Sequence, residues 1–172
     1  ASDSKPYDGT PLTKNKYSAL VQPVEGDKLE VTVEGSITDT GKTDNVVTKV
    51  RVMRGTKDVT ANYGNISTEN GILEVTARIV TLTSADDSKE YDGTPLTNNT
   101  VIESQDGFAK GEGADYTVTG SQTFEGKSSN TFTYDLTQKT KAANYEITTV
   151  FGTLEVTNNK AEDRVITITA AS

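Results

Sequence analysis

The sequence predicts an all-β fold built from two tandem β-sandwich units, and three observations carry that prediction. Apolar residues alternate with polar ones at period two, and no window sustains a helical period. Turn-forming pairs separate the alternating runs at short, even intervals. The third observation is a repeat: Tyr7-Asp8-Gly9-Thr10-Pro11-Leu12-Thr13 returns letter for letter as Tyr91-Asp92-Gly93-Thr94-Pro95-Leu96-Thr97. Gly35-Ser36 pairs with Gly120-Ser121, Gly41-Lys42 with Gly126-Lys127, and Asn62-Tyr63 with Asn144-Tyr145, all at nearly the same offset. A constant period on this scale is the mark of one folded unit used twice.

In the first copy, Leu29, Val31 and Val33 alternate with Lys28, Glu30, Thr32 and Glu34, a half-buried strand that ends at Gly35-Ser36. Val46 to Met53 reads as a second strand, with Val46, Val50 and Val52 on one face, and Ile72-Leu73-Glu74-Val75-Thr76 as a third. The second copy repeats the scheme at Tyr116 to Thr119, Thr131 to Leu136, Tyr145 to Val150 and Thr153 to Thr157. Turns are expected at Asp8-Gly9, Glu25-Gly26-Asp27, Thr40-Gly41-Lys42, Glu69-Asn70-Gly71 and Asp106-Gly107.

The repeated motif has its own logic. Asp-Gly supplies a tight turn, and the proline keeps the preceding threonine extended, so Pro11 and Pro95 suit an edge strand that resists strand addition. Tyr63 and Tyr145, each preceded by Asn, read as tyrosine corners, with the ring on the core rim and the hydroxyl bonded to backbone upstream.

The stretch Arg78-Ile79-Val80-Thr81-Leu82-Thr83-Ser84 matches Arg164-Val165-Ile166-Thr167-Ile168-Thr169-Ala170. If this strand closes its copy, the units are residues 1–84 and 85–172, the more economical division. The alternative places the boundary near 77/78, with the strand at 79–83 opening the second repeat and 164–170 belonging to a following one.

Of the 172 residues, 33% are hydrophobic and 6% aromatic, with one Met and no Trp, so each unit builds a lean core. The chain lacks Cys, which excludes disulfides, thiolate metal sites and thiol catalysis, and it lacks His. A formal charge of −8 argues against nucleic acid and anionic membrane as partners, and no apolar run is long enough for a membrane helix. Residues 1–84 carry 10 basic and 11 acidic groups, while residues 85–172 carry 7 and 14, so the copies share strands and turns but differ in surface. The N-terminus shows no signal-peptide pattern, and the chain reads as a piece of something longer.

The Ser-Lys-preceded Tyr-Asp-Gly-Thr-Pro-Leu-Thr motif, the Val80-Thr81-Leu82-Thr83 strand, the Asn-Tyr pair and the Gly-x-Leu-Glu-Val-Thr ending resemble the YDG and MBG (mostly-β, glycine-rich) tandem repeats of bacterial surface and adhesin-like proteins. The resemblance covers nearly the whole chain, twice. It implies two Ig-like β-sandwich domains in an elongated arrangement, extracellular on a wall-anchored parent, acting as a structural stalk or spacer that projects a distal binding region. The partners it implies are neighbouring repeats of the same chain, with the molecule otherwise a monomer. The alternative is that the repeats themselves bind a host glycan or extracellular-matrix protein.

Catalysis has little to work with. Without His and Cys the common nucleophile–base pairs are missing, so the expectation is a protein that is not an enzyme and takes no cofactor. Gly41-Lys42-Thr43 and Gly126-Lys127-Ser128 lack the upstream glycine at phosphate-loop spacing and read as hairpin turns. Asp86 and Asp87 are calcium candidates, with Asp3 at the matching point of the first copy, though most exposed acids are simply solvated. A Lys–Asn isopeptide cross-link would use Lys5, Asn62 and Glu74 in one copy and Lys89, Asn144 and Glu155 in the other. Its competitor is a surface Lys beside a turn and an Asn bonded to local backbone. Asn65-Ile66-Ser67 and Asn98-Asn99-Thr100 match glycosylation sequons by chance in a bacterial protein.

Overall fold

The computed structural model describes residues 1–104, 106–159 and 166–170. The chain is mostly β, with 48% in strands, and among the described residues helical structure is confined to 3₁₀ turns at Thr60–Asn62 and Ala142–Asn144. Contacts divide it into two units, Ala1–Arg78 with Ala142–Glu146, and Ile79–Lys141 with Ile147–Ser172.

The first unit holds β1 (Asp3–Pro6), β2 (Lys28–Glu34), β3 (Gly41–Arg54), β4 (Lys57–Asp58) and β5 (Gly71–Thr76). They hydrogen-bond in the order β1-β5-β3-β2, with β4 on the far end of β3. The 14-residue β3 serves two partners: Gly41 to Asn45 pair with β5, and Val46 to Met53 pair with β2. The turn expected at Thr40-Gly41-Lys42 therefore ends at Gly41, which opens the strand at φ 144°. A bulge between Thr32 and Val33 sets Val47, not Val46, opposite Val33, while Val50 still faces Val31 and Val52 faces Leu29. One extra residue on the bulged strand changes which side chains share a face. β1 runs parallel to β5, in register from Asp3↔Leu73 to Pro6↔Thr76. Leu73 and Val75, the inward residues of β5, are fully buried with Val52.

The second unit holds β6 (Arg78–Ser84, from Ile79 onward), β7 (Asp87–Glu90), β8 (Val101–Glu103), β9 (Ala114–Val118), β10 (Gly126–Asn130), β11 (Phe132–Leu136), β12 (Tyr145–Val150, from Ile147 onward) and β13 (Gly152–Thr157). Three ladders result: β10-β13-β7, β11-β9 and β12-β6-β8. β10 and β11 together repeat β3, broken here at Thr131. β7 lies parallel to β13 as β1 does to β5. The core gathers Val80, Leu82, Leu154 and Val156, each at most 1% exposed. Phe132 is a second focus, meeting Tyr116 and Phe151 edge-on at 6.3 and 5.5 Å.

The contact division falls between Arg78 and Ile79, with Ala142–Glu146 grouped with the first unit. β6 is the middle strand between β12 and β8, so its partners are all elements of the second copy and it cannot close the first. Its sequence match at 164–170 forms no strand at the described residues 166–170, where Ile166 and Ile168 are 87% and 88% exposed. Residues 164 and 165 lie outside the described residues.

Candidate functional site

The repeated heptapeptide builds the same polar knot twice. Gly9 and Gly93 take φ of 79° and 84°, the left-handed region that Gly enters without strain, and the chain doubles back behind Asp8 and Asp92. Asp8 Oδ1 accepts from Thr10 N at 2.8 Å and Thr10 Oγ1 at 2.7 Å, an Asx turn, and from Lys5 Nζ at 2.6 Å. Lys5 Nζ also reaches the carbonyl and hydroxyl of Thr10, both at 2.7 Å. In the second copy Asp92 Oδ1 accepts from Lys89 Nζ, Thr94 N and Thr94 Oγ1, each at 2.8 Å. The Lys5 ammonium, followed by the Thr10 hydroxyl and amide, lowers the Asp8 carboxyl to about 2. Lys89 and then Thr94 hold Asp92 well below the usual carboxylate range.

Pro11 and Pro95 follow this knot in a loop and are not part of an edge strand. The residue after each, Leu12 or Leu96, is buried and makes a single bridge, to Ile37 or Gln122. The proline completes the exit from the turn where no ladder needs its missing N–H.

A second repeated device went unforeseen. Asn45 and Asn130 are fully buried. Asn45 Nδ2 donates to the carbonyls of Ala1 and Lys14, both at 2.8 Å, and Asn130 Nδ2 to those of Ala85 and Asn98 at 3.0 and 2.9 Å. Each amide therefore ties the start of its copy to the segment after the knot. The sequence carried the signal, an Asn at the same spacing after Gly35 and after Gly120.

The isopeptide sets are not assembled. Lys5 and Lys89 spend their amines on the knot, Glu74 pairs with Lys42 at 3.3 Å, and Glu155 pairs with Lys127 at 3.2 Å. These last are cross-strand pairs in direct register, Lys42↔Glu74 and Lys127↔Glu155. Asn62 is exposed. Asn144 is buried within the first unit, where Nδ2 donates to Asp39 Oδ1 and Oδ1 accepts from Thr40 N, both at 2.9 Å. In none of these pairings does an acid stand between a Lys and an Asn to shuttle protons.

The acids near the start of each copy are used locally. Asp86 Oδ1 accepts from Thr153 N at 2.6 Å. Asp87 accepts from Ser88 N at 2.8 Å and Asn98 Nδ2 at 3.1 Å, as Asp3 does from Ser4 N at 3.0 Å and Lys14 Nζ at 2.8 Å. Lys14, then Ser4, lowers the Asp3 carboxyl. Among the described residues no three acids converge as a metal would require. The calcium candidates Asp86 and Asp87 instead border an open polar depression with Lys127 and Glu155, and Asp3, Lys42 and Glu74 line its counterpart in the first unit.

The tyrosines diverge. The Tyr63 hydroxyl accepts from Val24 N at 3.0 Å, a backbone group upstream, and donates to Asp27 Oδ2 at 2.8 Å. Asp27 also binds Arg54 Nε through Oδ1. Burial and Asp27 raise the Tyr63 phenol. Tyr145 is buried edge-on to Tyr7 at 5.5 Å within the first unit. Tyr91, the counterpart of Tyr7, is 38% exposed and stacks on the 71% exposed Phe124 at 6.5 Å with planes 22° apart.

No protein-family model, curated protein or solved structure matches the chain.

Proposed function

We infer that the chain is a pair of Ig-like β-sandwich repeats serving as a structural stalk or spacer of a bacterial cell-surface, adhesin-like protein, and that it is not an enzyme. The observation that carries this reading is where the repeated polar residues point. Lys5, Asp8, Thr10 and Asn45, and their counterparts Lys89, Asp92, Thr94 and Asn130, hydrogen-bond to the chain's own turns and carbonyls. These shared residues thus maintain the fold, while the polar surface the copies have in common is the paired Lys42–Glu74 and Lys127–Glu155 beside the open depressions, and net charge differs between the copies. Extracellular placement and wall attachment of the parent rest on the resemblance of the motifs.

The test is a binding screen. The intact chain, shown by circular dichroism and proton spectra to be folded, is presented to host matrix proteins and a glycan array, with and without calcium. A spacer gives a blank throughout. Saturable binding to one class would reassign the chain as an adhesin module.

One observation favours that second reading. The exposed Tyr91–Phe124 stack offers an aromatic face of the kind on which sugar rings lie, and it belongs to the second unit alone, since Tyr7 is covered. Glycan binding lost in both Tyr91→Ala and Phe124→Ala would place the site there.

A further inference from the structure

In the antiparallel ladder of β9 with β11, Tyr116 stands directly opposite Tyr134, between the pairs Thr117↔Thr133 and Asp115↔Asp135. The hydrogen bonds just beyond the two ends fix the phase of the ladder. Thr119 N donates to Thr131 O at 2.8 Å, and Thr137 N to Gly113 O at 3.0 Å. Thr119–Thr131 and Gly113–Thr137 are thus hydrogen-bonded positions, and strict alternation between them leaves Tyr116↔Tyr134 at a non-hydrogen-bonded one. At such a position the Cα atoms are about 4.5 Å apart and the two side chains leave the same face at their closest. Both tyrosines are half-buried, on the side of Phe132, which meets Tyr116 edge-on at 6.3 Å. In the β2–β3 ladder of the first copy, Val31 faces Val50 at the equivalent point.

Tyr116 also has a place to send its proton. Its hydroxyl donates to Glu103 Oε1 at 2.8 Å, and Glu103 lies exposed on β8. Removing an electron from a phenol makes its O–H strongly acidic, so oxidation is easiest where a base already holds that hydrogen. Tyr63 has a comparable partner in Asp27, also at 2.8 Å, but it follows a 3₁₀ turn and stands opposite no tyrosine in a ladder. Tyr7 and Tyr145 meet edge-on at 5.5 Å, yet at 5% and 8% exposure they are covered from an oxidant.

We propose that Tyr116 and Tyr134 form a site of oxidative cross-linking, where a one-electron oxidant driven by peroxide joins the two rings as dityrosine with Glu103 as proton acceptor. The oxidant takes one electron from each phenol. The Tyr116 proton passes to Glu103 and on to water, and the Tyr134 proton passes to water. The two radicals couple through ring carbons ortho to oxygen, and the hydrogen on each coupled carbon moves to its own oxygen, restoring both phenols. The chain loses two hydrogens, which the peroxide takes up as it is reduced to two molecules of water. The new bond ties β9 to β11 and closes a covalent loop, a constraint on the unfolded chain of the kind a disulfide supplies, in a chain without Cys.

The intact chain, kept dilute, is treated with hydrogen peroxide and a haem peroxidase and then digested with trypsin. Cleavage at Lys110, Lys127 and Lys139 puts the two tyrosines on separate peptides, residues 111–127 and 128–139, each with a single Tyr. The expected result is dityrosine fluorescence, an intact monomer lighter by two hydrogens, and those two peptides joined. Tyr134→Phe fills the same space and should abolish the joined peptide. Glu103→Gln keeps both rings and should slow coupling about tenfold or more by removing the base. An unchanged rate in that variant overturns the role given to Glu103. Links that join other tyrosines, Tyr7 and Tyr145 included, or that join two molecules, overturn the proposal, as does tyrosine oxidation that leaves residues 111–127 and 128–139 unjoined.

Discussion

A Cβ placed on Gly35 would lie 2.7 Å from Asn45 Oδ1 and 2.9 Å from Asn45 Cα. The glycine is there because the buried amide is there. Asn45 needs the space to turn its Nδ2 onto the carbonyls of Ala1 and Lys14, and only a residue without a side chain leaves it. Asn45→Ala removes both bonds and leaves two covered carbonyls short of a donor, a loss of about 1–3 kcal/mol in urea unfolding. Asn45→Asp cannot donate and should cost more. Gly35→Ala should cost about 1–3 kcal/mol through overpacking against backbone. A Gly35→Ala chain as stable as wild type would show that the amide has room to spare.

The knots set the acid limit of stability. Asp8 has a folded pKa of about 2, below the roughly 3.9 of an unfolded aspartate, and Asp92 is depressed as well. A depressed carboxyl contributes stability that is present above the unfolded pKa and lost as pH falls through the folded one. Melting temperature should therefore decline between about pH 4 and pH 2. Asp8→Asn and Asp92→Asn keep an acceptor for the threonine amide but remove the titration, so the double variant should start lower at pH 6 and fall less on acidification. An unchanged acid slope in that variant would assign the loss to other carboxylates.

At the alkaline end Tyr116 is the group to watch. Burial and the 2.8 Å bond it donates to Glu103 Oε1 push its phenol well above the ordinary value. A raised phenol contributes stability that is complete below the unfolded pKa, about 10, and lost as pH climbs toward the folded one. Titration at 295 nm should show a late tyrosinate phase, delayed until the fold opens, and Tyr116→Phe should remove it. Tyr63, raised by burial and by Asp27, should contribute a second late phase that Tyr63→Phe removes.

Leu73 and Leu154 occupy the same register position in the two copies, and both are fully buried. Each Leu→Ala change should cost about 2–5 kcal/mol in the unit that contains it. Hydrogen exchange on the single variants would show this as faster opening of β5 for Leu73→Ala and of β13 for Leu154→Ala.

Strands and turns were legible because alternation and Asp-Gly pairs are local signals. The long β3 was misread at its start because Gly41-Lys42 looks like a turn, and only the β5 ladder shows it to be extended. The face of Val46 was misassigned because the bulge beside Thr32 carries no Gly or Pro to announce it. The sequence leaves the boundary open because a strand between two copies reads the same as the end of one or the start of the next; its partners, β8 and β12, are distant in sequence. The Lys–Asp–Thr knot is visible as a motif, but Lys5 reads equally as a cross-link candidate or a surface amine beside a turn, because sequence separation does not reveal which carboxylate an amine meets. Asn45 and Asn130 passed unnoticed because a buried Asn in a polar run looks like any surface Asn.

The parallel pairing of β1 with β5 governs how the first unit answers to tension. A load entering at Asp3 and leaving at Thr76 pulls the two strands along their length in opposite directions, so the bonds from Asp3↔Leu73 to Pro6↔Thr76 are sheared together and not peeled one at a time. Bonds that share a load fail only when all of them fail. β7 and β13, parallel from Asp87↔Leu154 to Thr157↔Glu90, give the second unit the same clamp.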